Sequence, residues 1–311
     1  MVAQREKTVS YRRAEWFDGA VGQDIEKCLR QALKILKTID QRTISRGGQN
    51  VRVAKADDAR GGGLFLHLTT ETPGEAASVV PKAPPGADAI DLTTEQPPPD
   101  AEWLDGDAFL YVNQDHVCLC TTLIRDRAVS NFIRELFAKA KLPPGYKNFD
   151  LMKVADISKL KMLHKQGVKE LEIRGVLYQA TALYEKRRAR TSGALGAVGR
   201  HLKVVLDKPH DVTPDSLRVV LTVKVDRRFS KSLSIGEKRV EELAADILQH
   251  PDADDDYVIV TKTGQKISPH EIFMRSTILV EADGKTVNRA KTWRELQSFY
   301  KQLEQAGVFE Q

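Results

Sequence analysis

The sequence predicts an α+β fold in which antiparallel sheets and packed helices form two halves. Alternating apolar residues indicate strands, apolar residues at helical spacing indicate amphipathic helices, and each half places a pair of strands before a helix. The 311 residues, 41% of them hydrophobic, are enough to bury a core in each half. The predicted domains are residues 1–180 and 216–311, joined by a basic, glycine-containing connector over 181–215.

An amphipathic helix and two strands are predicted near the start of the chain. Five apolar residues recur at helical spacing and predict a helix of about five turns. They are Ile25, Leu29, Leu33, Leu36 and Ile39. Strands follow at Arg52-Val53 and from Leu64 to Leu68, where apolar and β-branched residues favour an extended backbone.

A hairpin and a helix complete the first half. Ala108 to Val112 and Val117 to Leu123 are apolar or β-branched runs, and the residues between them are typical of a hairpin turn. Asp126 precedes apolar residues at helical spacing. It therefore predicts the N-cap of a helix, which ends before Pro143-Pro144.

The second half repeats this pattern of strands and helices. Its clearest strand is predicted by alternating apolar residues, which are Val219, Leu221, Val223 and Val225. A helix is predicted over Lys238 to Leu248, and strands over Tyr257 to Val260 and Ser276 to Glu281. Asp283-Gly284 is typical of a tight hairpin turn, after which Thr292 predicts the cap of a closing helix.

An acidic, proline-rich insertion from Thr70 to Asp107 interrupts the first half. It contains 9 Asp/Glu residues against one basic residue, Lys82, and 7 of the 13 prolines. Such a segment lacks the apolar periodicity that packing requires, so we expect a large solvated loop that is mobile or peripheral to the fold. Deleting it should leave the fold intact.

Charge is segregated along the chain. Lys186 to Arg239 contains 14 Lys/Arg against 5 Asp/Glu, an excess of +9 in a protein whose formal net charge is +5. Clustered cations of this kind favour an anionic polymer, and double-stranded DNA is the predicted partner. A solvated charged face without a ligand is the alternative interpretation.

The predicted contacts are made with DNA phosphates. Basic side chains flank the glycine-rich segment Thr191 to Gly199, whose backbone can approach a polyanion closely, and others follow the strand that ends at Val225. The ten candidate DNA-binding residues are Lys186, Arg187, Arg188, Arg190, Arg200, Lys203, Lys224, Arg227, Arg228 and Lys231. Aromatic residues make up 6% of the chain, which favours duplex backbone contacts with weak sequence specificity over base stacking on a single strand.

His116, Cys118 and Cys120 alternate along one predicted strand, so their side chains share a face. Imidazole and thiolate groups are zinc ligands, but the sequence offers no fourth ligand at a recognisable spacing. We therefore predict a buried apolar strand face without a metal, and we predict no cofactor for the chain. The odd number of cysteines, three, fits a reducing compartment.

No catalytic residues are predicted. The acidic cluster around Asp254 fails as an EF-hand calcium loop, because Tyr257 and Thr263 stand where glycine and glutamate are needed. Arg60 and His67 match a loose nuclease spacing, but that motif belongs on a helix and a strand pattern occurs here. An unrecognised metal-dependent nuclease remains an alternative.

Hydrophobicity along the sequence bears on localisation. The sequence has no run of about 18 uncharged apolar residues, the length that a membrane-spanning helix requires. Met1 to Arg13 is polar and charged, unlike a secretory signal. We expect a cytoplasmic protein without direct insertion into a membrane.

The order of several segments is shared with a known family. These segments are the strand Asp107 to Val112, its partner Val117 to Leu123, the helix with Asn131-Phe132-Ile133, the strand Val168 to Ile173, and the elements over Arg218 to Asp226, Lys238 to Leu248 and Asp254 to Lys262. From Asp105 onward, this order resembles the RexA proteins of lambdoid phages, the cytoplasmic component of a superinfection-exclusion system.

The resemblance implies a DNA-binding, homodimeric, cytoplasmic protein of antiviral defence against phages, with no known catalytic centre. It transfers no diagnostic residues, so the DNA contacts above come from the charge pattern alone. It is compatible with a second component of the defence system, and that component can be membrane-bound. The competing class is a protein-interaction adaptor, whose basic surface meets its own acidic insertion or a protein partner.

The closing helix bears on the homodimer. Its apolar stripe is broad enough to pack on its own sheet and to leave large aromatic side chains for a second surface. The resemblance to RexA proteins favours a C2 dimer through that surface. The stripe consists of Trp293, Leu296, Phe299, Tyr300 and Leu303. The alternative is that all of these residues belong to an ordinary core.

Overall fold

The computed structural model describes residues 3–17, 24–83, 85–86, 88–176, 218–224, 237–238, 240–242, 244 and 256–310. The chain forms two compact units, which we call unit 1 (Met1–Val154 and Met274–Gln311) and unit 2 (Ala155–Phe273). The described helices are α1 (Ile25–Ile35), α2 (Asp126–Lys139), α3 (Ile157–Gln166), α4 (Pro269–Ile272) and α5 (Arg289–Gln305). Together with antiparallel sheets, they confirm the predicted α+β class.

Unit 1 is built on a nine-stranded antiparallel sheet. Its strands are β1 (Gln4–Trp16), β2 (Thr43–Arg46), β3 (Gln49–Asp58), β4 (Leu64–Glu71), β7 (Gly106–Asn113), β8 (His116–Thr122), β9 (Phe149–Lys153), β14 (Arg275–Asp283) and β15 (Thr286–Val287). The order is β15-β14-β1-β8-β7-β4-β3-β2, and β9 also pairs with β1.

The pairing of β14 with β1 joins the two ends of the chain. Gln4 lies opposite Glu281 and Ser10 opposite Arg275, so the last strands and α5 belong to unit 1. The sequence predicts one C-terminal domain over residues 216–311, whereas the contacts divide this range between unit 2 and unit 1 after Phe273. The other predicted boundary, at residue 180, lies outside the described residues.

The two faces of the sheet bury different side chains. Leu64, Leu66 and Leu68 of β4 point to one face, where they pack with α1 and α2 in a mainly aliphatic core. Phe65 points to the opposite face, where it joins an aromatic core under α5. This alternation is the period of two that a strand imposes on its side chains, and it places unit 1 in three layers.

The apolar stripe of α5 is buried against its own sheet. Trp293, Leu296, Phe299, Tyr300 and Leu303 are all buried in the aromatic core. The prediction that aromatic side chains are left over for a second surface is therefore wrong. The sheet is wide enough to cover the whole stripe, and the Trp293 indole N–H also donates to the Leu66 carbonyl at 3.2 Å.

The first helix is shorter than predicted. Asp24 caps α1 by accepting a hydrogen bond from the Lys27 amide, but the helix ends at Ile35 and does not include Ile39. The side chain of Arg42 folds back and donates to the carbonyls of Leu33 and Leu36, which satisfies the end of the helix. Local periodicity does not reveal this interaction.

Two predicted caps lie inside their helices. Asp126 is the first helical residue of α2, and its carboxylate forms a salt bridge with Arg12. Thr292 lies in the first turn of α5, where its hydroxyl donates to the Asn288 carbonyl, and the Asn288 side chain caps the helix instead. Both predictions selected a polar residue next to an apolar run. A tertiary contact decides the role of Asp126, whereas the local cap Asn288 decides that of Thr292.

The acidic insertion begins and ends inside the sheet. Thr70 and Glu71 are buried in β4, and Gly106 and Asp107 are buried in β7, so the predicted boundaries are too wide. The Asp105 amide donates to the Thr70 carbonyl at 2.9 Å and closes the neck of the insertion. The remaining segment is largely exposed and contains a small hairpin of β5 (Ala77–Val79) and β6 (Thr93–Glu95).

Unit 2 contains a four-stranded antiparallel sheet in the order β11-β10-β12-β13. Its strands are β10 (Val168–Val176), β11 (Arg218–Lys224), β12 (Asp256–Thr261) and β13 (Lys266–Ile267). Leu171, Tyr257 and Ile259 point to one face and form a core with Leu163 of α3 and Val240. The described residues of the predicted helix at 238–248 are helical up to position 244.

Candidate functional site

Nine of the ten predicted DNA-binding residues lie outside the described residues. They are Lys186, Arg187, Arg188, Arg190, Arg200, Lys203, Arg227, Arg228 and Lys231. Their position in the chain assigns them to unit 2. Unit 2 carries 21 Lys/Arg against 17 Asp/Glu, whereas unit 1 carries 27 against 26, so unit 2 accounts for +4 of the net charge of +5.

Lys224, the tenth candidate, is exposed at the end of β11. It lies directly opposite Glu170 in the pairing of β11 with β10, and Thr222 lies opposite Glu172. Directly opposed residues of antiparallel strands are neighbours, so these carboxylates lower the positive potential around Lys224. This face of the sheet is therefore less basic than the sequence near Lys224 indicates.

Helix α3 presents a cationic surface that the sequence analysis did not single out. Its buried side is apolar, with Leu163 in the core of unit 2 and Leu160 packed against it. Lys161 and Lys165 are exposed and four residues apart, so they lie on the same side of the helix. Neither of these lysines has an ion-pair partner among the described residues.

The cationic surface continues into the strand that follows α3. The amide of Gly167 donates to the Leu163 carbonyl at 2.8 Å, and its φ of 66° turns the chain directly into β10. Lys169 is then exposed at a β-bulge, where the pairing register shifts between Val168 and Glu170. We call Lys161, Lys165 and Lys169 the α3 lysines.

A simple sequence signal accompanies these lysines. Between residues 157 and 169 the chain has four lysines, including Lys159, and no Asp or Glu. Lys262 shows the contrasting situation, because it pairs with Glu237 at 2.9 Å and Glu241 at 3.3 Å. The hydrogen bond that Lys262 donates to Glu237 raises the pKa of Lys262. A paired lysine of this kind offers less to a phosphate than the α3 lysines do.

The predicted buried face of β8 is confirmed. Cys118 and Cys120 are fully buried in the aromatic core, and burial raises the pKa of Cys120 to about 12. His116 is buried beside them, with its Nδ1 atom 2.6 Å from the Tyr11 hydroxyl and its ring 4.0 Å from that of Phe309. Burial lowers the pKa of His116. Within the described ranges, no group of three His, Cys, Asp or Glu side chains is arranged to hold a metal.

A second polar cluster lies on the α5 face of the sheet. Asp107 is fully buried, accepts a hydrogen bond from the Thr286 hydroxyl, and lies 3.4 Å from Nε2 of His67. The His67 ring stacks on Phe109, with 4.3 Å between ring centroids. Asp107 Oδ1 and His67 Nδ1 are buried without a hydrogen-bond partner. His67 is thus on a strand and held by packing, unlike the helical nuclease motif considered above.

A cavity of about 610 Å³ lies between the sheet and the insertion. Thr69, opposite Asp107 in the pairing of β4 with β7, lines it together with Arg52 and Glu71, which form a salt bridge. The insertion contributes Trp103 and neighbouring residues, among them Pro97, Pro98, Asp100 and Glu102. Its carboxylates outnumber its single arginine, so the cavity disfavours a polyanion.

Comparisons with known proteins leave the family undetermined. No protein-family model matches the chain. A search of curated proteins also finds no match. Among the helices in the described part of the chain, none has the length and apolar character needed to cross a bilayer.

Proposed function

We propose that the chain is a non-catalytic protein that binds double-stranded DNA through its phosphates, largely independently of sequence. The observation that carries this proposal is the excess of 14 Lys/Arg over 5 Asp/Glu between Lys186 and Arg239. Each phosphate that a lysine or arginine neutralises releases condensed counterions. Because this release favours binding, a cluster of cations raises the affinity for DNA.

The α3 lysines support the proposal from outside that stretch. They are exposed, they belong to the same unit, and Lys161 and Lys165 have no described carboxylate partner. Placing like charges four residues apart on a helix costs a few tenths of a kcal/mol. A bound polyanion offsets this cost, which is the physical reason to include the α3 lysines in the interface.

The biological setting is proposed from the resemblance to RexA proteins. It consists of a cytoplasmic homodimer that acts in phage defence or superinfection exclusion, with a second defence-system component downstream. A dimer doubles the number of phosphates that one assembly neutralises.

The test is a titration of the purified protein with two unrelated duplex sequences of equal length, at about 50 mM and about 200 mM salt. We expect similar affinities for both duplexes and a steep loss of affinity at the higher salt concentration. The variant Lys161→Glu/Lys165→Glu should bind both duplexes about tenfold or more weakly, because two phosphate contacts become repulsions.

The matched control is Lys34→Glu/Lys37→Glu, which changes two exposed lysines of unit 1 and alters the net charge equally. It should retain most of the wild-type affinity. Equal losses in both variants would show that only net charge matters and would contradict an interface on unit 2. Absence of binding at the lower salt concentration would instead favour the adaptor, and cleavage of the duplex with Mg²⁺ would favour the nuclease.

A further inference from the structure

The cavity between the sheet of unit 1 and the insertion has the size of a small-molecule site. Its volume of about 610 Å³ lies within the range of about 300–1,000 Å³ that is usual for ligand pockets. One wall belongs to β3 and β4, and the other belongs to residues 97–104 of the insertion. The proposed DNA contacts make no use of it, because they belong to unit 2.

The wall formed by the sheet carries a fixed ion pair. Arg52 and Glu71 form a salt bridge, and the side-chain amide of Asn50 donates to Oε1 of Glu71 at 3.3 Å. Both contacts are made with Oε1, which leaves Oε2 of Glu71 as an acceptor for a ligand. Nε of Arg52 is buried and has no hydrogen-bond partner among the described residues. Polar groups are therefore left over on this wall, and a polar ligand would satisfy them.

The opposite wall presents the aromatic side chain of Trp103. Its indole N–H donates to the Glu95 carbonyl at 3.2 Å, so one edge of the ring is anchored within the insertion. Pro97 and Pro98 line the cavity with it. The face of an indole attracts cations more strongly than the other aromatic side chains do, and a planar guanidinium can also stack on it.

A tight turn brings a carboxylate to the same wall. The Ala101 amide donates to the Pro98 carbonyl at 3.1 Å, and Asp100 has a φ of 65°. A positive φ at the third position is typical of a type II turn, in which glycine or asparagine is usual at that place. Asp100 is more strained there than glycine would be, but it adds a negative charge to the lining of the cavity.

The charges around the cavity favour a cation. The lining contains the carboxylates of Glu71, Asp100 and Glu102 and the single guanidinium of Arg52, which together give a net charge of −2. Glu102 is held in place, because its Oε2 accepts a hydrogen bond from the Gly74 amide at 2.9 Å. A lining of this charge attracts a cation and repels a phosphate.

We propose that this cavity binds the guanidinium group of a small molecule. The guanidinium stacks on the face of Trp103 and donates to the carboxylates of Asp100 and Glu71, because its flat fork of N–H groups suits both an aromatic face and a carboxylate. The apolar part of the ligand lies against Pro97 and Pro98. This site belongs to unit 1 and does not depend on the proposed DNA binding.

Isothermal titration calorimetry of the full chain without DNA tests the proposal with matched probes. Nα-acetyl-argininamide carries the guanidinium, and we expect it to bind with a Kd below about 1 mM. Nα-acetyl-citrullinamide has nearly the same shape but a neutral urea, and it should bind about tenfold or more weakly. Nα-acetyl-lysinamide keeps the charge without the planar group and should bind about threefold more weakly than the arginine probe.

Two variants and a matched control locate the binding. Trp103→Leu keeps an apolar side chain but removes the aromatic face, and it should weaken binding of the arginine probe about tenfold. Asp100→Asn removes one charge at a positive φ that asparagine tolerates, and it should weaken binding about threefold. The control is Asp91→Asn, which removes an exposed carboxylate of the insertion that does not line the cavity. It should leave the affinity unchanged.

The outcomes decide the proposal independently of the duplex titration. Absence of heat with the arginine probe up to about 10 mM overturns the site. Equal binding of the citrulline probe overturns the role of the charge, and equal losses in all three variants overturn the cavity in favour of general attraction to the acidic insertion. If circular dichroism shows that Trp103→Leu is unfolded, Asp100→Asn and the probe series still decide.

A blocked Gly-Arg-Gly peptide separates the two sources of a guanidinium group. It should bind no more tightly than the arginine probe, because the proposed ligand is a small molecule. Clearly tighter binding of the peptide would overturn that assignment in favour of an arginine within a polypeptide.

Discussion

Unit 1 and unit 2 differ in the size of their sheets and in their net charge. Unit 1 buries apolar side chains on both faces of a nine-stranded sheet and is nearly neutral, with 27 Lys/Arg against 26 Asp/Glu. Unit 2 has a four-stranded sheet and holds most of the net positive charge. The difference predicts that unit 2 attracts a polyanion more strongly than unit 1 does, since an excess of like charges attracts a polymer of the opposite charge.

The largest expected effect concerns the basic stretch of unit 2. Charge reversal of Arg187, Arg188 and Arg190 should weaken duplex binding about a hundredfold and reduce the slope of log affinity against log salt by about 3, since three phosphate contacts are lost. Unrelated duplexes should be affected equally. A mobility-shift titration at several salt concentrations measures both quantities.

The control for this triple variant reverses three lysines of unit 1, Lys34, Lys37 and Lys301, all of which are exposed. It changes the net charge by the same amount. If the two triple variants lose affinity equally, the proposed assignment of the DNA-binding surface to unit 2 is wrong.

The next effect concerns the core of unit 1. Leu110 is fully buried between the sheet and the α1–α2 layer, so Leu110→Ala should lower the free energy of unfolding by about 3 kcal/mol. Leu123→Ala, at an exposed position, should change it by less than about 0.5 kcal/mol. Denaturant titration provides these values, and the salt dependence of DNA binding should be the same in both variants.

A smaller effect should appear as a pH dependence of stability in unit 1. Because burial lowers the pKa of His116, the folded state holds its proton less readily than the unfolded state. The stability contributed by neutral His116 is present above its unfolded pKa of about 6.5 and is lost as the pH falls through the lower folded pKa. The free energy of unfolding should therefore decrease between pH 7 and pH 5.

The variant His116→Gln keeps an acceptor for the Tyr11 hydroxyl but does not titrate. It should be less stable than the wild type at neutral pH and should lose less stability on acidification. An unchanged pH dependence in this variant would assign the effect to other groups.

The smallest effect is expected for the insertion. Because Thr70 lies opposite Gly106, residues 72–104 can be replaced by Asn-Gly, which leaves Glu71 opposite Asp105 and would make β4 and β7 a hairpin. The melting temperature should shift by only a few degrees, about the effect of 1 kcal/mol in a unit of this size. DNA affinity should hold or rise, because the deleted segment is acidic. Unfolding of this variant would mean that the insertion is part of the core.

Features that depend on neighbouring residues were easier to predict from the sequence than features that depend on distant ones. Alternation along Ala108 to Val112 and Val117 to Leu123 predicts β7 and β8, because a strand's period is a local property. The predicted caps at Asp126 and Thr292 are wrong for two different reasons. Arg12 binds Asp126 through a tertiary contact, whereas Asn288 caps α5 locally, directly before the helix begins. The α3 lysines carry a sequence signal as well, because residues 157–169 contain four lysines and no Asp or Glu.

The sequence by itself determined the α+β class, the alternation of buried and exposed residues, the burial of Cys118 and Cys120, and the separation of charge along the chain. Each of these depends on residue type and on spacings of a few positions. Only the tertiary structure decided that β14 pairs with β1 and that the apolar stripe of α5 is buried. The pairing of β14 with β1 joins residues more than 250 positions apart in the chain, and no local periodicity states which strands become neighbours.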